Sequence, residues 1–248
     1  ISTKAGYNMW PGPYGEWGSK KYLTASLDQS LKRLQLDYVD IFYSHRFDPD
    51  TPLEETADGL HRAVQQGKAL YIGISSYSSK QTLKMNKLLK ERGIKCLIHQ
   101  PSYSMLNRWI EKDLLNTLNK LNLGCIVFSP LAQGMLSEKY LNMIPLKSRA
   151  KENSSLDPKM ITKNYKNKII NLKKIAQNRN QTISQMALAW VLRHKQVTSA
   201  LIGARTLKQL DECLDSLNNL KFSKSELSLI DKYAKEENIN LWATSSKN

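Results

Sequence analysis

Lys4 and His45 stand out in this 248-residue chain as residues whose type and setting suit carbonyl or acid–base chemistry. Lys4 closes the strand-like Ile1-Ser2-Thr3 and precedes Ala5-Gly6. His45 follows the strand-like segment Tyr38 to Tyr43, in Phe42-Tyr43-Ser44-His45-Arg46. A lysine and a histidine at the C-terminal ends of consecutive strands sit where a (β/α)₈ barrel keeps its catalytic groups. Each also has a plain reading, a terminal surface lysine and a hydrogen-bonded core histidine. Cys96, Cys125 and Cys213 are unevenly spaced, without Cys-x-x-Cys and without a histidine at ligand spacing. That pattern predicts no disulfide framework, no metal site and a reducing, cytoplasmic setting.

Other elements must place these groups. A Gly/Pro/aromatic loop runs from Gly6 to Gly18, and then Leu23, Leu27, Leu31 and Leu34 recur at helical spacing. Thr51-Pro52-Leu53-Glu54 predicts a helix start, with Thr51 as N-cap, Pro52 at the first helical position and Glu54 completing a capping box. That helix should run to about Gln66, where Gly67 ends it. Strands are predicted at Ala69 to Ser75, Ile94 to His99, Cys125 to Phe128 and Thr198 to Ile202. Helices are predicted at Lys80 to Arg92, Ile110 to Leu121 and Thr206 to Leu217, with a last one capped by Ser223-Lys224-Ser225-Glu226. Two more helices lie between Lys163 and Val191, the second with Ile183, Met186, Ala187, Trp190 and Val191 on one face. Between Ser129 and Lys163 lies a polar stretch longer than ordinary connections, as functional lids often are. Six strands, most followed by a helix, argue for parallel β/α architecture, two strands short of a closed barrel.

Hydrophobic residues make up 41% of the chain, enough for one large core, and no flexible linker divides it. One domain over 1–248 is expected. The 37 Lys and Arg against 22 Asp and Glu give a formal charge of +15, which would suit an anionic partner. The lysines are spread along amphipathic segments, so solvated helix faces account for them better than nucleic acid. No apolar run approaches the ~18–20 residues of a membrane span, and no signal peptide opens the chain. It begins without Met, inside a strand, which predicts a fragment or a start that lies elsewhere.

Six ordered motifs carry a family resemblance: Ser2-Thr3-Lys4-Ala5-Gly6, Met9-Trp10-Pro11-Gly12-Pro13-Tyr14-Gly15, Gly73-Ile74-Ser75-Ser76-Tyr77, His99-Gln100-Pro101-Ser102-Tyr103, Ser129-Pro130-Leu131-Ala132-Gln133-Gly134 and Leu201-Ile202-Gly203-Ala204. Together they resemble aldo-keto reductases of the bacterial type acting on glyceraldehyde 3-phosphate and methylglyoxal, relatives of the potassium-channel β subunits. The similarity extends to the tail around Leu241-Trp242. It implies a (β/α)₈ TIM barrel lacking its first two β/α units, with six strands present.

The resemblance also implies a tetrad of Asp, Tyr, Lys and His. Tyr protonates the carbonyl oxygen, helped by a lysine ammonium that Asp holds, while hydride reaches the carbon. Lys4 matches the lysine and His45 the carbonyl-orienting histidine; Asp and Tyr are expected upstream of Ile1. Asp40 lies five residues before His45, ~16 Å away at ~3.3 Å per residue, too far to replace the Asp. Tyr43 reads as core, and Tyr7 and Tyr14 lie on the opening loop as remote substitutes.

For the cofactor, NADP(H), the resemblance assigns Ser75, Ser76 and Gln100 to the nicotinamide carboxamide and Phe128 to its ring. It assigns Ser129, Leu131, Gln133 and Gly134 to the pyrophosphate, with charge from Lys139 and Arg149. Gly203, Arg205, Gln209, Glu212 and Cys213 fall at the adenosine 2′-phosphate and adenine; Arg205 replaces a usual Ser and Cys213 a usual Asn. Trp10 and Tyr14 would wall a pocket for a small aldehyde. Relatives assemble through the outer helices, so a homo-oligomer is part of the expectation. The alternatives are a nucleotide-binding regulatory or scaffold subunit, against which His45 speaks, and an inactive remnant. A barrel missing two units is expected to be unstable, with negligible carbonyl reduction if the Tyr acid is absent.

Overall fold

The computed structural model describes residues 1–146, 148–151 and 156–234. The tail motif Leu241-Trp242 lies outside the described residues. Six strands, β1 (Ser2–Ala5), β2 (Val39–Ser44), β3 (Ala69–Ser75), β4 (Cys96–Gln100), β5 (Gly124–Val127) and β6 (Ser199–Ala200), form one sheet in sequence order. The pairs from β1 to β5 are parallel. Helices α1 (Lys20–Leu34), α2 (Leu53–Gln65), α3 (Ser79–Glu91) and α4 (Leu114–Leu121) follow β1 to β4. Then come α5 (Lys163–Asn178), α6 (Ile183–Val191), α7 (Leu207–Asp215) and α8 (Lys224–Tyr233). This is the predicted β/α alternation. No helix among the described residues is long and apolar enough to cross a membrane.

Packing divides the chain into two compact units. The first holds Ile1–Pro101 and Ile110–Ile126. Its helices carry apolar faces that bury Leu23, Leu27 and Leu31 of α1 and Ala57, Leu60 and Ala63 of α2. The second holds Ser102–Trp109 and 127–234. There α6 buries Met186, Ala187, Trp190 and Val191 together, and α5 adds Ile169, Leu172 and Ile175.

Local chemistry moves several boundaries. Pro52, not Thr51, is the N-cap of α2, and no side chain caps it. The Asp48 carboxylate accepts the Asp50 and Thr51 N–H groups in the turn before it, and Glu54 pairs with Lys84 at 3.1 Å, so the predicted capping box does not form. Capping boxes do form at Ser78/Gln81, Thr182/Gln185 and Ser223/Glu226. The predicted helix at 110–121 is split into a 3₁₀ turn, Trp109–Glu111, and α4, because Asp113 leaves helical geometry at φ −150 and ψ −32. The long 129–163 connection carries 3₁₀ turns at Ala132–Gly134, Glu138–Tyr140 and Pro158–Met160. β6 spans two residues rather than the predicted five, and the Leu201 N–H donates to the Val127 carbonyl at 2.8 Å just beyond it.

Candidate active site

In the first unit, parallel pairing brings Lys4 and His45 to adjacent strand ends. Lys4 is paired with Tyr43 and Ala5 with Ser44, and the His45 N–H donates to the Ala5 carbonyl at 2.8 Å. Lys4 Nζ lies 5.1 Å from the centroid of the Tyr43 ring. That ring is buried over Gly73 of β3, where an added Cβ would come within 2.4 Å of two ring carbons. Burial lowers the Lys4 pKa. Burial, together with the positive charges of Lys4 and Arg46, lowers His45 to about 4. At neutral pH the site therefore presents a neutral imidazole beside a partly desolvated ammonium.

The ends of β3 and β4 hold Ser75, Ser76 and Gln100, all buried. The Ser75 hydroxyl donates to the Gln100 carbonyl at 2.8 Å, and the Ser76 N–H donates to the same oxygen at 3.3 Å. Ser76 takes a left-handed conformation, φ 57, which turns the chain sharply off β3. The three are thus cross-braced, with the Ser75 proton already committed to backbone. One residue before Gln100, His99 is buried and its Nε2 donates to the Tyr77 carbonyl at 3.1 Å.

The opening loop places its aromatic residues unequally. Trp10 packs on Tyr22, ring centroids 5.3 Å apart. Tyr14 is exposed, with Lys21 Nζ 4.7 Å from its ring centroid. The ring against His45 is Tyr7, edge-on at 4.6 Å between centroids. Nothing in the sequence pattern marks Tyr7 for this place.

The second unit contains a cleft of about 910 Å³. Its walls include Phe128, Ser129, Leu131, Gln133, Gly134, Lys139 and Arg149 from the region after β5, and Gly203, Arg205, Gln209, Glu212 and Cys213 from the approach to α7 and its first two turns. All the residues of this unit that the sequence reading assigned to a cofactor line one cleft. Thr182, Ser184 and Ser137 also line it and went unassigned. Ser129, Ala132, Gln133 and Gly134 all have positive φ, from 46 to 94. Within this segment the Ala132 and Gly134 N–H groups donate to the Ser129 and Leu131 carbonyls, both at 2.9 Å, so it folds as successive tight turns. Thr206 caps α7 by accepting from the Gln209 N–H at 3.2 Å, and the Gln209 side chain accepts from the Arg205 N–H at 2.8 Å. The Thr182 hydroxyl donates to Glu212 at 2.9 Å, joining the start of α6 to α7. Behind α7, Arg179, with its side chain 2% exposed, donates to the Asn219 and Lys221 carbonyls and pairs with Glu226 at 2.9 Å. One buried guanidinium thus fixes the segment on which α7 ends. Burial raises the Cys213 thiol pKa, assisted by Glu212.

Residues 1–235 match the family model described as the aldo/keto reductase family. The chain belongs to the aldo/keto reductase family. It is 57% identical over 251 aligned residues to L-glyceraldehyde 3-phosphate reductase of Escherichia coli strain K12, covering 99% of this chain and 72% of that protein. The protein of the same name from E. coli O157:H7 matches to the same extent. An aldo/keto reductase is an oxidoreductase, generally using a nicotinamide cofactor. Its parallel β/α sheet is of (β/α)₈ type, as expected from the sequence.

Proposed function

We propose that the chain is part of an NADP(H)-dependent reductase of short polar aldehydes, of the glyceraldehyde 3-phosphate or methylglyoxal kind. The observation that carries this reading is the second-unit cleft, whose lining combines Arg205, Lys139 and Arg149 with the Ser129–Gly134 turns. Three cations in one cleft suit the phosphates of a dinucleotide. Arg205 and the N-terminus of α7 suit a 2′-phosphate, because a planar guanidinium binds phosphate through two parallel hydrogen bonds. By resemblance, Gln209, Glu212 and Cys213 on α7 are assigned to the adenine, Phe128 to the nicotinamide ring, and Ser75, Ser76 and Gln100 to its carboxamide.

NADPH, when bound, supplies the hydride. Lys4 and His45 hold the other half of the chemistry. Neutral His45 donates an N–H hydrogen bond to the aldehyde oxygen and withdraws charge as the alkoxide develops. Lys4 adds a positive field at the same oxygen. The proton that completes the alcohol comes from an acid the lysine activates. Tyr43 does not fill that place: it is 1% exposed, and burial pushes its hydroxyl up to about 12. Trp10 and Tyr14 are assigned to the substrate side by the resemblance, and the 57% identity to an L-glyceraldehyde 3-phosphate reductase supports that substrate class.

The experiment is a fluorescence titration of the purified chain with NADPH and with NADH, run beside circular dichroism and an aldehyde-dependent turnover assay. Saturable binding that favours NADPH is expected. A folded chain that binds neither nucleotide would overturn the proposal. Binding with no turnover at any aldehyde concentration would shift the reading to a nucleotide-binding subunit, or to a site whose acid lies on another segment.

A further inference from the structure

Arg46, directly after His45, makes an unusual number of contacts for a residue outside the expected tetrad. Its Nε donates to the Gly6 carbonyl at 2.8 Å and a terminal nitrogen donates to Glu16 at 2.7 Å. Its guanidinium carbon is 3.6 Å from the centroid of the Trp17 ring and 4.2 Å from that of Tyr7. The side chain is 14% exposed, whereas Glu16 is 39% exposed. Gly6, Tyr7, Glu16 and Trp17 are the two ends of the loop that begins at the end of β1. The Trp17 N–H also donates to the Gly6 carbonyl, at 3.1 Å, and the Tyr22 hydroxyl of α1 donates to the Tyr7 carbonyl while accepting from the Gly6 N–H. Gly6 has no room for a side chain, since an added Cβ would meet the His45 Cβ at 2.8 Å.

We propose that Arg46 is a positioning residue of the carbonyl site: stacked on Tyr7 and Trp17 and paired with Glu16, its guanidinium latches the Gly6–Gly18 loop so that Tyr7 stands against His45. A loop of this length closes its ends at an entropic cost, and an ion pair with two cation–π contacts is large enough to offset it. The guanidinium is already paired with Glu16, so Arg46 serves as a structural cation rather than as a receptor for an anionic substrate. Tyr7 then forms the wall beside the imidazole and limits how wide an aldehyde can reach it. The effect on turnover rests on the aldehyde-reductase reading; the latch itself does not.

The test uses the chain with Arg46→Ala, Arg46→Lys and Glu16→Ala, following chymotrypsin cleavage after Tyr7 and Tyr14 together with the His45 ring resonances through a pH titration. Arg46→Ala should speed loop cleavage by at least about tenfold, remove the Tyr7 ring-current shift on His45 and raise the His45 midpoint from about 4. Arg46→Lys keeps the charge but not the planar stack, so it should hold the midpoint while still losing the ring-current shift. Glu16→Ala leaves the core untouched and should speed cleavage by about threefold, so it decides the matter even if Arg46→Ala does not fold. Where the unmodified chain turns over, Arg46→Lys should raise KM with little change in kcat. Unchanged cleavage and His45 resonances in Arg46→Lys and Glu16→Ala would overturn the latch. Absence of turnover in the unmodified chain, with the cleavage and resonance effects intact, would instead count against the function reading.

Discussion

At Arg205 a guanidinium stands where the family resemblance implies a serine hydroxyl. If it binds a 2′-phosphate, its loss must be felt by NADPH and not by NADH. Arg205→Ala is expected to weaken NADPH at least about tenfold, the order of one charge-assisted phosphate contact, and NADH less than about twofold, as fluorescence titration would measure. Cys213 makes the opposite case. A thiol is only a weak donor and a weak acceptor, whereas an amide offers a strong acceptor and two donors to adenine, so Cys213→Asn should tighten both nucleotides by a few-fold. Equal affinities before and after would place the adenine away from α7. These residues could be named from the sequence only through the family resemblance, as departures from the pattern it implies. Arg46 could not, and Tyr7 only as a remote substitute acid, since their importance comes from a ring and a guanidinium meeting His45 and the opposite end of a loop.

The strands illustrate what an element needs from its neighbours. In β3, Gly73 leaves a space that the Tyr43 ring of β2 fills, and that ring lies 5.1 Å from Lys4 Nζ of β1. Gly73→Ala should therefore cost about 1–3 kcal/mol, as overpacking does, and should move the Lys4 titration, checked by denaturant unfolding and lysine NMR. A wild-type midpoint and an unmoved lysine would mean that Tyr43 rotates away freely. Helix starts were only partly readable for the same reason. Ser223 with Glu226 forms its capping box from local sequence alone, whereas Thr51 and Glu54, an equally good pattern, are drawn off by Asp48 and Lys84.

For the molecule as a whole, buried histidines set how stability follows pH. His99 is fully buried and His45 mostly so, and burial brings each from 6.5 to about 4. The folded chain therefore resists protonation that the unfolded chain accepts near 6.5. This contribution is complete above pH 6.5, is lost progressively as the pH falls towards 4, and changes no further below that. For His99 alone the loss is on the order of 3 kcal/mol. Urea midpoints between pH 7 and pH 4 should fall, and His99→Gln should flatten the fall. A midpoint that stays level from pH 6.5 to 4.5 would show that His99 is hydrated in the folded state. The thiols of Cys96 and Cys125, both raised to about 12 by burial, remain protonated throughout.

By itself the sequence determined the β/α alternation and the placing of Lys4 and His45 at strand ends, and through its family resemblance it named part of the lining of the second-unit cleft. Each of these depends on local spacing: Leu23, Leu27 and Leu31 on one helix face, Gly67 and Gly93 with positive φ after helices, and Ser129 to Gly134 in one run. Tertiary structure alone decided that β6 would be two residues long, that Tyr7 rather than Trp10 or Tyr14 would meet His45, and that Arg46 would be shared by both ends of a loop. The physical reason is the same in each case. Strand extent, ring contacts and ion pairs depend on which distant segment supplies the partner atom, and that choice is made when strands register and helices pack.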